Sequence, residues 1–192
     1  MGLRRGFKSE ANATAREIRA ELGLSTAAPL DPWKLAEHLA IPVVGISTMM
    51  GDARTAVVRL TKIDPRSFSA VTVFRGYSRR MIVVNDAHSR RRQASDVAHE
   101  LAHCLLLHEP RPAFDDGGVR AWDEDEEDEA DWLAGALLVS DEAAVAIVRR
   151  GLSIRDATRL YGVSVRMMQF RINVTGARKR VERAERYRLR DP

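Results

Sequence analysis

The chain has 192 residues, of which 45% are hydrophobic and 30% are charged, a composition typical of a globular domain that is long enough to bury a core. No apolar run approaches the roughly 20 residues needed to span a bilayer. The single Cys104 excludes an internal disulfide and a cysteine-based zinc finger, and no apolar secretory segment follows the first residues, so we expect a cytoplasmic protein.

The first half of the chain predicts two helices and a short strand. Apolar residues at helical spacing predict a helix over residues 9–22, which Gly23 ends. Asp31 and Pro32 are typical of a helix start, with an aspartate cap followed by proline in the first turn. Residues 41–46 then read as a strand, whereas residues 53–61 fit a helix or a strand equally well.

Two β-branched segments follow, over residues 68–74 and 80–84, and they predict an antiparallel hairpin. The hairpin leads directly into a helix over residues 89–108. We therefore expect an α+β fold that is mostly helical, with a small antiparallel sheet of about three strands.

The 89–108 helix contains the pattern His-Glu-x-x-His. His99 and His103 are four residues apart, so they lie on one face of the helix, one turn from each other, and form a metal-chelating pair. Glu100 is about 100° from His99 around the axis, where its carboxylate can act as general base on a metal-bound water. The surrounding residues are apolar, and burying three polar side chains there is costly unless an ion such as zinc satisfies them.

A catalytic zinc site needs a third protein ligand, and the acidic residues that begin a predicted helix over residues 125–139 can supply it. Glu126 and Glu127 both project toward the apolar stripe of this helix. Asp131 follows Glu127 by one turn and could accept the free ring N–H of a bound histidine. We favour Glu127 as ligand and Asp131 as outer partner, with Glu126 as the rival.

Two other residues near the motif fit a ligand role less well. His108 is nine residues after His99, about 180° away on a helix, so we interpret it as a helix-end or surface histidine. Cys104 points about 140° from His99 and is typical of a small buried apolar group.

The C-terminal part predicts more helices. Ser140 is a suitable cap for a helix over residues 141–150, and residues 153–161 and 165–174 form two short helices around a tight corner that resembles a helix-turn-helix. Residues 166–192 contain nine basic and three acidic residues, whereas residues 115–131 contain ten acidic residues and one arginine. We therefore divide the chain into residues 1–150 and a helical segment, 151–192, with a basic tail.

The sequence resembles the ImmA/IrrE family of metallo-endopeptidases over most of its length. The resemblance includes the Leu-Asp-Pro-Trp segment that begins at Leu30, the hairpin segments 68–73 and 82–85, and the His-Glu-x-x-His motif. It also includes the family's downstream Glu-x-x-Ala-Asp, here from Glu127 to Asp131. The family's aromatic-Ala pair is replaced by Leu133-Ala134, and its terminal proline by Ser140.

The resemblance implies a zincin-like domain in which His99, His103 and Glu127 bind zinc and Glu100 is the catalytic acid and base. It also implies an endopeptidase that cleaves a helix-turn-helix transcriptional repressor. Two alternatives stay open, namely a DNA-binding regulator and a partner-binding module, each with a structural or vestigial zinc site. The group that stabilises the oxyanion is left open, with Tyr77 and His108 as unplaced candidates.

Overall fold

The computed structural model describes residues 2–75, 79–108 and 123–188, and it confirms an α+β fold dominated by helices. The strands are β1 (Val43–Gly45), β2 (Ala70–Arg75) and β3 (Arg79–Val84). The helices in these ranges are α1 (Phe7–Glu21), α2 (Pro32–His38), α3 (Met50–Val58), α4 (Arg90–Leu105), α5 (Glu124–Leu138), α6 (Asp141–Arg149), α7 (Ile154–Tyr161), α8 (Val165–Val174) and α9 (Ala177–Arg188). Among the described residues, no helix combines the length and apolar character needed to cross a membrane.

The sheet has the strand order β1-β3-β2. Strands β2 and β3 form the predicted antiparallel hairpin, with Thr72 opposite Ile82. Strand β1 pairs in parallel with β3, with Val43 opposite Ile82, so the sheet is mixed and the prediction of an entirely antiparallel sheet was wrong for β1. The sequence signals of a hairpin report pairing between neighbouring segments only, whereas β1 pairs with a strand almost 40 residues later.

Helices α4 and α5 form the centre of the hydrophobic core. Both present a stripe of fully buried residues, many of them small, and α1 and the sheet pack around this pair. The stripe on α4 includes Val97, Ala98, Leu101 and Ala102, and the stripe on α5 includes Ala130, Leu133, Ala134 and Leu137. Alanine allows two helix backbones to approach closely. The polar side chains that lie beside these apolar stripes on α4 and α5 are therefore also close to each other.

Two buried arginines hold the C-terminal end of α5. Arg19 of α1 donates to the carbonyls of Ala136 and Leu137, at 3.4 and 2.7 Å, and Arg171 of α8 donates to the Val139 carbonyl at 2.8 Å. Both guanidinium groups are inaccessible to solvent, and burial lowers the pKa of each to about 10. The last carbonyls of a helix have no partners within the helix, so these contacts replace water and fix α5 in place.

The predicted helix starts at Asp31 and Ser140 are confirmed. The Asp31 carboxylate accepts from the Trp33 N–H, and the Ser140 hydroxyl accepts from the Ala143 N–H. The ambiguous residues 53–61 are helical, in α3 and the short π-helical turn Arg59–Ile63 that follows it. The sequence Asp116-Gly117-Gly118 also predicts a loop, and these residues lie outside those that the structure describes.

Candidate metal centre

Three potential ligands converge where α4 faces the first turn of α5. His99 and His103 lie one turn apart on α4, and Glu127 projects from α5 toward both rings. The ring nitrogens His99 Nε2 and His103 Nε2 are 3.0 Å apart. Glu127 Oε2 lies 3.1 Å from His99 Nε2, and Glu127 Oε1 lies 3.6 Å from His103 Nε2. One ligand atom from each residue therefore falls within a single small volume, 4.8 Å across at most.

The donor atoms of this cluster fit a metal ion. Two imidazole nitrogens and one carboxylate are the donor set of many catalytic zinc sites, where bonds of about 2.0–2.1 Å in a tetrahedron separate neighbouring donors by about 3.3–3.4 Å. The observed separations of 3.0, 3.1 and 3.6 Å bracket that spacing. Two Nε2 atoms 3.0 Å apart can share a proton, or they can both present lone pairs to a cation. The cluster can therefore hold a divalent cation.

Without an ion, the electrostatics of the cluster favour a protonated His99 beside a charged Glu127. Burial lowers the pKa of His99, but hydrogen bonds to Asp131 and Glu127 outweigh burial and raise the pKa to about 10. Burial raises the pKa of Glu127, but hydrogen bonds to His103 and His99 outweigh it and lower the pKa to about 2. The site thus stabilises positive charge between the rings and the carboxylate, which is what a metal would supply.

Asp131 contacts the opposite side of the His99 ring. Its Oδ1 lies 2.8 Å from His99 Nδ1, and its side chain is 78% exposed. A carboxylate in this position accepts the Nδ1–H, so a metal-bound His99 would present its Nε2 lone pair on the side of Glu127 and His103. This is the geometry of the outer partner that the one-turn spacing from Glu127 predicts.

Glu100 lies next to the histidines on α4 and is held by the sheet. The hydroxyl of Thr72, on β2, donates a hydrogen bond of 2.6 Å to Glu100 Oε2. Val71 and Val73 on either side are exposed, so Thr72 is the residue of this strand segment that faces α4. Thr72 was not identified from the sequence as a site residue. The signal for this contact was a polar residue that alternates with two valines in a strand.

His108 lies just after the end of α4, which agrees with its interpretation as a helix-end histidine, but it is not a surface residue and its ring adjoins the cluster. Its side chain is only 9% exposed, and its Nδ1 lies 2.8 Å from the Nδ1 of His103. Burial and the neighbouring His103 lower the pKa of His108, which favours a neutral ring. The helical geometry that placed His108 opposite His99 does not apply, because α4 ends at Leu105 and the chain turns back at Leu107, where φ is +56°.

The remaining predicted residues also have definite places. Glu126 lies on α5 but does not belong to the group of potential ligands formed by His99, His103 and Glu127 among the described residues. Cys104 is buried as expected, and burial raises the pKa of its thiol. It lines a cavity of about 610 Å³ together with Arg80 and the segment 39–42.

Tyr77, the other candidate for stabilising the oxyanion, lies outside the described residues. The chemical roles that the sequence predicts for the individual site residues remain predictions.

The comparison with protein families places this geometry in context. The family described as the IrrE N-terminal-like domain, peptidase M78, matches residues 44–173, which is more than half of the chain and includes the β2–β3 hairpin, the histidine pair and Glu127. No curated protein matches the sequence at a significant level. The family match supports a metallopeptidase type of function, and the cluster of two histidines and a glutamate agrees with it. The chain belongs to the ImmA/IrrE family of metallopeptidases.

Proposed function

We propose that the protein is a zinc-dependent endopeptidase and that its substrate is a helix-turn-helix transcriptional repressor. The observation that carries the proposal is the convergence of His99, His103 and Glu127, with the Glu100 carboxylate beside them on α4. Zinc is the proposed ion because two imidazoles and one carboxylate are its usual catalytic ligands. The substrate class comes from the proteases of the family that the sequence resembles.

In this mechanism His99, His103 and Glu127 hold the ion, with Asp131 orienting the His99 ring. When bound, zinc would lower the pKa of a ligated water and polarise the carbonyl of the scissile peptide bond. Glu100 accepts the proton of the attacking water and then gives it to the leaving amine. Thr72 holds Glu100 Oε2, so we assign the proton transfer to Oε1.

The test is cleavage of a repressor encoded by a neighbouring gene, measured by mass spectrometry. The wild-type protein, loaded with one equivalent of zinc, is expected to release two fragments, and Glu100→Gln is expected to bind zinc equally well but to cleave at least about 100-fold more slowly. Unchanged cleavage by Glu100→Gln would rule out this mechanism. His38→Ala is the matched control, because His38 is an exposed histidine paired with Glu21 on the surface.

A second candidate function is DNA binding by the segment 151–192, which we propose as a separate functional unit. Helices α7 and α8 pack against each other around Gly162, whose φ is +66°, and α8 exposes Arg166, Gln169 and Asn173. Helix α9 adds a basic surface beside them. This candidate predicts binding to duplex DNA that weakens steeply as salt increases and that does not depend on Glu100.

A further inference from the structure

The strongest unassigned feature is the contact between the rings of His103 and His108. We propose that His108 is a positioning residue that accepts the Nδ1–H of His103 and so fixes the ring of this metal ligand. The inference rests on the proposed metal centre, but it concerns how the ligand is held and not which substrate is cleaved. It makes His108 the counterpart of Asp131, which contacts the Nδ1 of the other histidine.

The hydrogen bonds allow one arrangement of protons when His103 binds a metal through Nε2. The lone pair must then be on Nε2, so the ring proton of His103 is on Nδ1. His108 Nδ1, 2.8 Å away, must accept this proton, and its own proton is therefore on Nε2. His108 Nε2 lies 3.7 Å from Glu129 Oε2, so the Glu129 carboxylate favours the His108 tautomer that carries its proton on Nε2. This is the tautomer that the hydrogen bond from His103 requires.

The backbone after α4 is shaped to make this contact. The His108 N–H donates to the His103 carbonyl at 3.1 Å, and the Leu107 N–H donates to the Cys104 carbonyl at 3.3 Å. This pairing closes the end of a helix and requires a left-handed residue, which is usually glycine. Here Leu107 adopts φ +56° and is 76% exposed. This left-handed turn brings the chain back so that the His108 ring lies against the His103 ring.

Helix α5 supports His108 from the other side. Glu129 is only 14% exposed in its side chain, and it accepts a contact of 2.8 Å from Arg4 Nε. The same helix carries Glu127, the proposed third ligand, two residues earlier. The packing of α4 on α5 therefore places the Glu127 carboxylate against the Nε2 atoms of His99 and His103. It also places the Glu129 carboxylate beside the His108 ring.

The experiment compares His108→Ala, His108→Phe and His108→Asn with wild type and His38→Ala. Zinc affinity is measured by competition with a chromophoric chelator, and the ligand geometry by the visible absorption of the cobalt-substituted protein. The circular dichroism spectrum and the unfolding midpoint of each metal-free variant show whether it folds. Phenylalanine keeps the ring volume without an acceptor, whereas the Oδ1 of asparagine can lie near the position of the lost Nδ1.

We expect His108→Ala and His108→Phe to bind zinc about 10- to 100-fold more weakly with a changed cobalt spectrum, and His108→Asn to recover most of the affinity. The positioning role is overturned if folded His108→Phe binds zinc as tightly as wild type, or if His108→Asn is as weak as His108→Phe. If wild type binds zinc but cleaves no repressor, the proposed function fails while the role of His108 is still measured by affinity.

Discussion

The hydroxyl of Thr72 donates a hydrogen bond of 2.6 Å to Oε2 of Glu100, and this bond connects β2, an edge strand of the sheet, to the proposed general base. The two residues are 28 positions apart in sequence and belong to different elements, β2 and α4. Since β2 packs against α4, the sheet limits where the carboxylate can point. The sheet therefore contributes to the site although it supplies none of the proposed metal ligands.

We predict that Thr72→Val lowers kcat by roughly tenfold or more, because a hydrogen bond to a charged group is lost at the reacting carboxylate. Zinc affinity is expected to remain within about twofold, since Thr72 does not contact a proposed ligand. Thr61→Val is the control, because Thr61 also donates its hydroxyl, to the Val57 carbonyl, but away from the site. Steady-state kinetics on the repressor substrate would contradict the prediction if the two variants had equal kcat.

Asp131→Ala is predicted to weaken zinc binding by about tenfold, because the His99 ring loses the acceptor 2.8 Å from its Nδ1. Asp128→Ala, which removes an exposed carboxylate from the same helix, is expected to change the affinity by less than about twofold. The comparison separates orientation of the ring from the general negative charge of α5. Equal losses in the two variants would mean that Asp131 acts only through its charge.

Zinc is predicted to stabilise the folded protein. At a free concentration of 100 times Kd, binding to the native state alone adds about 2.7 kcal/mol to the free energy of unfolding, which corresponds to a rise in Tm of roughly 5–10 °C for a chain of this size. Chelation should reverse the shift, and Glu127→Ala should greatly reduce it. A Tm that does not respond to zinc in wild type would show that the cluster does not bind the ion.

Arg19→Met is predicted to lower the free energy of unfolding by roughly 2–4 kcal/mol, because the carbonyls of Ala136 and Leu137 lose their buried donor. Arg16→Met, which removes an exposed arginine of the same helix that pairs with Glu142 at 3.4 Å, should cost less than about 1 kcal/mol. Urea denaturation measures both. A small effect of Arg19→Met would mean that water replaces the guanidinium at the end of α5.

The sequence was sufficient for features that depend on local periodicity. Helical spacing placed His99, Glu100 and His103 on α4 and Glu127 on α5, and hairpin signals identified the pairing of β2 with β3. It was not sufficient where distant segments meet or where the backbone leaves its usual conformation. Distant segments meet in the parallel pairing of β1 with β3 and in the contact of Thr72 with Glu100. The backbone leaves its usual conformation at Leu107, and this turn brings His108 back to His103.

The most direct test of the account is anomalous diffraction at the zinc edge from crystals of the zinc-loaded protein. We predict one strong peak, about 2.0–2.2 Å from His99 Nε2, His103 Nε2 and a carboxylate oxygen of Glu127, with no fourth protein atom bound. A peak at another place, or a fourth protein ligand that closes the site to water, would contradict the proposed hydrolysis.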